Sequence, residues 1–208
     1  MSKSICVAFF IFVIFYMLGL GFAVDFLWLL KVIPILILGA GVLTTKPSST
    51  RSILLLALMF SACGDLLLAF DIFIYGVGAF LLAQLSYAFM FKSYWTGIAH
   101  RWPLSVLLIG GMVTMAWLLI PSLGDLKIPV MAYLCAIGAM GLLATQSSLP
   151  IRWSVLGAIL FIISDSFIAV NKFIMPIPFE AYWIMSTYYG AQFMLVTGFL
   201  AAMKQQNE

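Results

Sequence analysis

Two carboxylates lie well inside apolar segments of this chain, Asp65 in SACGDLLLAF and Asp165 in FIISDSFIAVNKF. Only 8% of the 208 residues are charged, so an ionisable side chain in such a segment is unusual here. Placing a charge in hydrocarbon is unfavourable enough that residues of this kind usually mark a binding site or a pathway. The two aspartates are therefore the first candidates for chemistry.

Lys31 and Tyr133 are expected at the same depth as the aspartates if successive segments alternate in direction across a membrane. Asp65 and Asp165 lie about five residues before the ends of their segments, whereas Lys31 and Tyr133 lie about five residues after the starts of theirs. At 1.5 Å per helical residue, all four lie roughly 8 Å below one membrane boundary. The sequence thus predicts a polar pocket that opens toward the outer leaflet.

The two aspartates, with one lysine at the same depth, form a pair of carboxyl groups suited to acid–base chemistry. Lys31 can neutralise only one of them, and the other tends to stay protonated in an apolar environment. General acid–base catalysis needs two groups that differ in this way. Asp65 and Asp165 are accordingly predicted to be catalytic, with their individual roles left open. The alternatives are that Asp65 is only a structural partner of Lys31, or that Lys31 extends to the interface without a partner.

Further polar side chains on the predicted helices are candidates for binding a substrate. Each has a simpler interpretation as a hydrogen bond between helices or as part of the aromatic belt at the interface. The candidate binding residues are Lys31, Gln84, Tyr87, Tyr133, Ser164, Asn171, Lys172, Tyr188, Tyr189 and Gln192.

The composition predicts an integral membrane protein with an all-α fold. Hydrophobic residues make up 65% of the chain, and a helix needs about 20 apolar residues to cross a bilayer. The runs do not alternate as the strands of a transmembrane barrel would, so helices are the remaining spanning structure. The sequence predicts one membrane domain over residues 1–208, an eight-helix bundle. The predicted helices cover residues 5–23, 26–44, 53–70, 74–95, 103–120, 128–145, 152–170 and 179–203.

The distribution of charge predicts the orientation of this bundle. Eight spans place both termini on one side, and that side collects seven of the ten lysines and arginines. Basic residues concentrate in cytoplasmic loops, so both termini are expected in the cytoplasm. The net charge of +3 then reflects topology and gives no indication of nucleic-acid binding.

Neither a metal nor a cofactor is predicted. His100 is the only histidine, and Cys6, Cys63 and Cys135 stand alone in separate apolar runs. These residues lack the spacing of a zinc site. The sequence also contains neither the G-x-S-x-G nucleophile elbow of serine hydrolases nor a phosphate-binding glycine loop.

The two halves of the chain are weakly similar. Gly64-Asp65 in the third predicted helix corresponds to Ser164-Asp165 in the seventh, and each is followed one helix later by Ala-Gln. We therefore consider two four-helix repeats with a site between them as a hypothesis.

Several motifs resemble those of the YhhN/TMEM86 family of lysoplasmalogenases along the whole chain. These are GDLLLAF, G-x-F-x-x-x-Q-x-x-Y from Gly78 to Tyr87, PVMAYLCAIGAM around Tyr133, GAILFIISDSFIAVNKF from Gly157 to Phe173, and YYGAQFMLV. One departure is Gln84, where many members of the family carry histidine. The resemblance implies the same eight-helix layout.

The resemblance further implies that the vinyl ether bond of a lysoplasmalogen is hydrolysed to a fatty aldehyde and glycerophosphoethanolamine or glycerophosphocholine. This reaction needs a protonated acid and a carboxylate and no metal, as in the related chemistry of glycosidases. Lys31 and Lys172 are then candidates for the substrate phosphate. The partners expected are a lysophospholipid substrate and membrane lipids, and the oligomeric state is left open.

The alternative functions are a transporter or lipid carrier that relays protons through the aspartates, and a non-catalytic scaffold. The cytoplasmic halves of the third and seventh predicted helices, SILLLALMF and WSVLGAILF, contain almost no polar residues. This asymmetry favours a one-sided pocket over a transport pathway. Compact loops favour a bacterial cytoplasmic membrane over an endomembrane.

Overall fold

A computed structural model describes residues 1–22, 24–98 and 101–205. They form eight α-helices and no named strand, so the predicted all-α class is confirmed for this part of the chain. His100 lies outside the described residues. Two short 3₁₀ turns, Ile120–Ser122 and Gly124–Leu126, join the fifth helix to the sixth. The helices are α1 (Lys3–Gly19), α2 (Leu27–Leu43), α3 (Ser49–Ala69), α4 (Phe73–Lys92), α5 (Trp102–Leu119), α6 (Lys127–Thr145), α7 (Val155–Phe173) and α8 (Glu180–Gln205).

Helix ends differ from the apolar runs by a few residues because capping, and not hydrophobicity, sets them. α3 begins at Ser49 instead of residue 53, since the Ser48 hydroxyl accepts a hydrogen bond from the Arg51 amide at 3.1 Å. α4 ends at Lys92 instead of 95, because the chain turns there and Trp95 forms an isolated bridge with Ser147.

Five helices are long and apolar enough to cross a membrane: α3, α4, α5 with its following turn, α6 with its preceding turn, and α7. α1 and α2 are apolar but have 17 residues each. α8 has 26 residues, and polar side chains interrupt its apolar sequence. The structure therefore contains the predicted eight helices, while eight complete crossings stay a prediction.

Most of the core lies between helices that are neighbours in sequence. α3 packs on α4 and α7 packs on α8, which joins the two helices carrying the aspartates to the helices that follow them. α4 also contacts α6 extensively. α5 lies at the periphery, where Leu119 is its only buried residue. The aspartates are thus held on the central helices, and α5 lies on the Asp165 side of the bundle.

A close approach of α3 and α4 occurs beside Asp65. A Cβ atom added to Gly64 would lie 2.6 Å from the ring of Phe80. Only glycine leaves room for this ring against the α3 backbone. Phe80 is thereby held where it contacts Tyr188 and lines a cavity with Asp165.

Candidate active site

Asp65 lies in an ion pair enclosed by three helices. Its Oδ1 is 3.6 Å from the Nζ of Lys31 on α2, and its Oδ2 accepts a 2.8 Å hydrogen bond from the Tyr188 hydroxyl on α8. Asp65 itself is 2% exposed. Within residues 1–22, 24–98 and 101–205 this is the one ion pair. A buried carboxylate with a cation and a hydrogen-bond donor is well placed to stay ionised.

Asp165 has a different environment on α7. Its Oδ2 accepts a hydrogen bond from the Tyr133 hydroxyl on α6, and that hydroxyl accepts a 3.3 Å bond from the Gln84 amide on α4. Asp165 is only partly buried. No cation of the described chain pairs with it. An apolar environment without a cation favours the neutral acid, so the two aspartates are suited to different roles.

Gln84 determines the direction of this hydrogen-bond chain. Its amide N–H points at the Tyr133 oxygen, so the phenolic proton is directed to Asp165. Successive bonds of this kind polarise one another. The ring N–H of a neutral histidine can donate to the same oxygen. Gln84 therefore supplies the same kind of donor that a neutral histidine would supply at this position.

An aromatic cluster contacts the surroundings of both carboxylates. The ring of Phe80 packs edge-on against Tyr188, the partner of Asp65, with 5.9 Å between ring centroids. The same ring lines a cavity with Asp165, and Phe161 completes the cluster at 5.5 Å from Tyr188.

Two small cavities reach Asp165, with volumes of about 50 and 40 Å³. Both are lined by Asp165 and Tyr133, and their other walls are apolar except for Ser166 in the second. Asp65 lines neither of them. Of the two aspartates, Asp165 is thus the one that a molecule bound in these cavities can reach.

Tyr87 and Gln192 belong to a buried network that adjoins Tyr188, the partner of Asp65. The Tyr87 hydroxyl donates to Gln192 Oε1 at 2.6 Å, and the Gln192 amide donates to Ser61 Oγ at 2.9 Å. These bonds connect α3, α4 and α8. They are hydrogen bonds between helices, and a role of these residues in binding a substrate stays a prediction.

The other predicted binding residues contact neighbouring helices and turns. The Ser164 hydroxyl donates to the Ile184 carbonyl at 3.0 Å, and the Asn171 side chain accepts from the Ile177 amide at 2.8 Å. Tyr189 donates to the Lys31 carbonyl at 2.7 Å. Lys172 is exposed, with its Nζ 4.3 Å from the centre of the Phe73 ring. Phe73 lines the cavity at Asp165, so Lys172 lies at its mouth.

The sequence reasoning overlooked Phe80 and Ser61. Phe80 belongs to the Gly78 to Tyr87 motif, but an apolar side chain among many gave no signal that it contacts the surroundings of both aspartates. Ser61 gave none because short hydroxyl side chains are common in apolar helices, where they often bond to the backbone of their own turn.

The described histidine, cysteine and acidic side chains do not form a group of three or more that would hold a metal ion. Oxygen and nitrogen ligands must converge to bind Zn²⁺ or Mg²⁺.

Sequence comparison connects this site with known proteins. The model of the YhhN family matches residues 26–199. The chain belongs to the YhhN family. This range includes both aspartates, Lys31, Tyr133 and the described network at Gln192. With several helices long and apolar enough to cross a bilayer, this YhhN family member is an integral, multi-pass membrane protein.

Curated relatives of this family member come from mammals and bacteria. Lysoplasmalogenase TMEM86A of Bos taurus is 35% identical over 186 residues, which cover 80% of this chain and 75% of the relative. The Homo sapiens protein of the same name is 36% identical over 186 residues, with the same coverage. Lysoplasmalogenase of Mycobacterium bovis is 33% identical over 172 residues, 78% of this chain and 66% of the relative. No solved structure matches the chain significantly.

Proposed function

We propose that this protein is a lysoplasmalogenase, which hydrolyses the vinyl ether bond of a lysoplasmalogen to a fatty aldehyde and glycerophosphoethanolamine or glycerophosphocholine. The observation that carries the proposal is the unequal environment of the two aspartates. A molecule in the cavity can reach Asp165, which is hydrogen-bonded to Tyr133 and has no cation paired with it among the described residues. Asp65 is buried in an ion pair with Lys31. The names of the curated relatives support the same activity.

The first step is transfer of a proton to carbon. Asp165, neutral at the start, donates its proton to the β-carbon of the vinyl ether, and the double-bond electrons form the new C–H bond. The α-carbon and the ether oxygen are left as an oxocarbenium ion. The Tyr133 hydroxyl stabilises the Asp165 carboxylate as its charge develops, because a hydrogen bond to an ionised group is stronger than one to a neutral group.

The second step uses one water molecule. Water attacks the α-carbon, and its surplus proton passes to the Asp165 carboxylate, which gives a hemiacetal. Asp165 then protonates the departing glyceryl oxygen, and the hemiacetal hydroxyl returns a proton to Asp165 as the aldehyde forms. One water is consumed and Asp165 ends neutral. The same carboxyl group acts first as acid and then as base, as in retaining glycosidases.

Asp65 acts through its charge in this proposal. Its carboxylate, fixed by Lys31 and Tyr188, adjoins the aromatic cluster and provides a negative charge near the oxocarbenium ion. A fixed charge in an apolar environment stabilises a transition state more strongly than one in water. We assign Asp65 a positioning and electrostatic role and Asp165 the catalytic one.

The proposed arrangement in the membrane is one domain over residues 1–208 with eight crossings and both termini in the cytoplasm. The bias of basic residues supports this orientation. It places Lys172 at the outer boundary, where it can contact a lipid phosphate. The substrate is a lysophospholipid, and the proposed location is a bacterial cytoplasmic membrane.

The test measures aldehyde release from a lysoplasmalogen by purified protein in phosphatidylcholine vesicles, with chelator present throughout. Asp165→Asn should lower the rate by about 10²- to 10⁴-fold, the usual contribution of a general acid. Asp65→Asn should lower it by about 10²- to 10³-fold through loss of the fixed charge. Asp71→Asn is the matched control, because Asp71 is exposed and its φ of 60° is one that asparagine tolerates.

Each outcome of this assay decides a separate point. Full activity of Asp165→Asn would exclude Asp165 as the acid. A folded wild type that releases no aldehyde would exclude the activity itself.

A further inference from the structure

Three adjoining cavities lead from the α4 side of Asp165 to the α5 side of the bundle. The two small cavities at Asp165 share the walls made by Val130 and Tyr133. A third cavity of about 320 Å³ shares Met112, Met115 and Ser166 with the second. The path therefore runs from the carboxyl group of Asp165 to the side of the bundle that α5 covers. We call the third cavity the α5–α7 groove.

The α5–α7 groove is apolar and elongated. Its two polar side chains are already bonded within their own helices, Thr145 to the Leu142 carbonyl and Ser166 to the Ile162 carbonyl, each at 2.8 Å or less. The described residues that line the groove offer a ligand hydrocarbon contacts and leave no free hydrogen-bond donor. Its volume is within the range of about 300–1,000 Å³ that small-molecule sites have.

The length of the groove matches one hydrocarbon chain. Along α5 it extends from Met115, which also lines a cavity at Asp165, to Leu104. At 1.5 Å per residue this is roughly 17 Å. One leaflet of a bilayer, which holds one extended chain, has about half of the ~30 Å hydrocarbon thickness. The groove is therefore long enough for a single chain that begins at Asp165.

α5 forms the outer wall of the groove and is weakly attached. Leu119 is its one buried residue, and Leu107 on the groove side is 74% exposed. α5 contacts α7 only narrowly. A chain from the surrounding lipid can therefore enter from the side without passing through water.

We propose that the α5–α7 groove holds the alkenyl chain of the substrate. The vinyl ether then lies at Asp165 and Tyr133, and the phosphate lies at the mouth near Lys172. This order, head group then vinyl ether then chain, is the order along the lysolipid itself. The inference rests on the proposed function and adds to it the site that binds the alkenyl chain and makes the reaction sensitive to chain length.

A second apolar groove, between α1 and α8, is larger, with a volume of about 890 Å³. It is lined by Phe9, Tyr182 and Phe193 among others. Its lining includes neither Asp165 nor Tyr133, so a chain bound there would not bring a vinyl ether to the reachable carboxyl group. It serves as the alternative position in the test.

Gly111 provides a way to fill the α5–α7 groove without disturbing the bundle. It lines the groove, and a Cβ atom added to it meets nothing within 4 Å. Gly110 precedes it on the same helix, is equally open and does not line the groove. Gly111→Phe and Gly110→Phe therefore make the same change to α5 and differ in whether the new ring enters the groove.

The experiment compares aldehyde release from long-chain and short-chain lysoplasmalogens in phosphatidylcholine vesicles. Gly111→Phe should lower kcat/KM for the long chain by at least about tenfold, since each methylene lost from an apolar pocket contributes a substantial factor. The short chain should react as with wild type, because it does not reach the filled part. Gly110→Phe should leave both substrates unchanged. Equal losses for both chain lengths, or none, would overturn the inference.

A binding measurement separates this inference from the proposed function. A saturated lysolipid ether with a photoreactive group at the chain end should label peptides of α5 and α7 in the wild type, and less in Gly111→Phe. Labelling of Phe9 or Phe193 instead would overturn the groove assignment while aldehyde release still stood. Labelling of α5 without aldehyde release would overturn the hydrolase and keep the groove.

Discussion

At the scale of residues, the two aspartates differ in partners more than in depth. Asp65 has a lysine and a tyrosine, whereas Asp165 has a tyrosine alone among the described side chains. A carboxyl group that must donate and regain a proton cannot be held permanently ionised by a cation. The absence of an ion pair at Asp165 is thus what makes it the more useful acid.

Tyr133→Phe tests whether the hydrogen bond to Asp165 matters for the reaction. The substitution removes only the hydroxyl, so the cavity keeps its shape while the developing carboxylate loses its donor. Aldehyde release should fall by roughly 10- to 100-fold, since a hydrogen bond to a charged group contributes about 1.5–3 kcal/mol. Tyr75→Phe is the control, because Tyr75 is 72% exposed on α4. An unchanged rate for Tyr133→Phe would contradict the mechanism.

The sequence predicted which residues share a depth, but it did not predict which of them touch. Lys31, Asp65, Tyr133 and Asp165 were placed at one level by counting along helices. Their division into Lys31 with Asp65 and Tyr133 with Asp165 depends on the rotation of each helix about its axis. Nearly uniform apolar helices carry little information about rotation, because no polar face marks the outside.

At the scale of helices, the contact between α3 and α4 positions the aromatic cluster. Phe80 lies against the α3 backbone at Gly64 and extends from there to both aspartate environments. The glycine therefore matters to the site although it carries no functional group. A small residue at this position lets the two helices approach closely.

Gly64→Ala should destabilise the protein and lower its activity. The new Cβ atom would lie 2.6 Å from the Phe80 ring, so the ring and α4 must move. Overpacking of this kind lowers the free energy of unfolding by about 1–3 kcal/mol. Gly78→Ala is the control, since nothing lies within 4 Å of its added Cβ and alanine favours the helix. Thermal unfolding in vesicles and aldehyde release measure both effects, and equal midpoints for the two variants would exclude the packing argument.

Helix number was predictable and helix ends were less so. The eight apolar runs correspond one to one with α1–α8, because hydrophobicity along the chain identifies the segments. The start of α3 was missed because Ser49, Thr50 and Arg51 are polar, although Ser48 caps the helix there. A cap contributes about 1 kcal/mol and leaves no trace in hydropathy.

At the scale of the whole molecule, orientation decides which leaflet supplies the substrate. The proposed orientation follows from charge in the loops, and the structure holds the loops together at one end through the Trp95–Ser147 bridge. Arg101 adds a 3.1 Å hydrogen bond to the Leu149 carbonyl at the same end. The α4–α5 and α6–α7 loops, which include Arg101 and Arg152, therefore lie together at one end of the bundle, as expected if that end faces the cytoplasm.

Single cysteines test this orientation. In a chain whose cysteines are replaced by alanine, Asp125→Cys before α6 and Ser148→Cys after it lie at exposed positions on opposite ends of one helix. A membrane-impermeant maleimide added to intact cells should label Asp125→Cys and leave Ser148→Cys unlabelled until the cells are permeabilised. The control is Ser148→Cys in permeabilised cells, and the reverse pattern would invert the orientation.

The shape of the bundle could not be predicted from the sequence. Apolar composition predicted a membrane domain, but grooves depend on where helices fail to contact one another. The α5–α7 groove exists because α5 packs mainly on α6 and leaves α7 partly uncovered.

The lateral opening of the α5–α7 groove also bears on how the protein must be handled. Alkyl detergents are single-chain amphiphiles, the class of molecule that this groove accepts. A detergent used for extraction therefore enters the assay as a competitor, and an apparent KM measured in micelles will rise with detergent concentration. In a search for inhibitors of the solubilised protein, the same competition would make the apparent affinity of each inhibitor too weak.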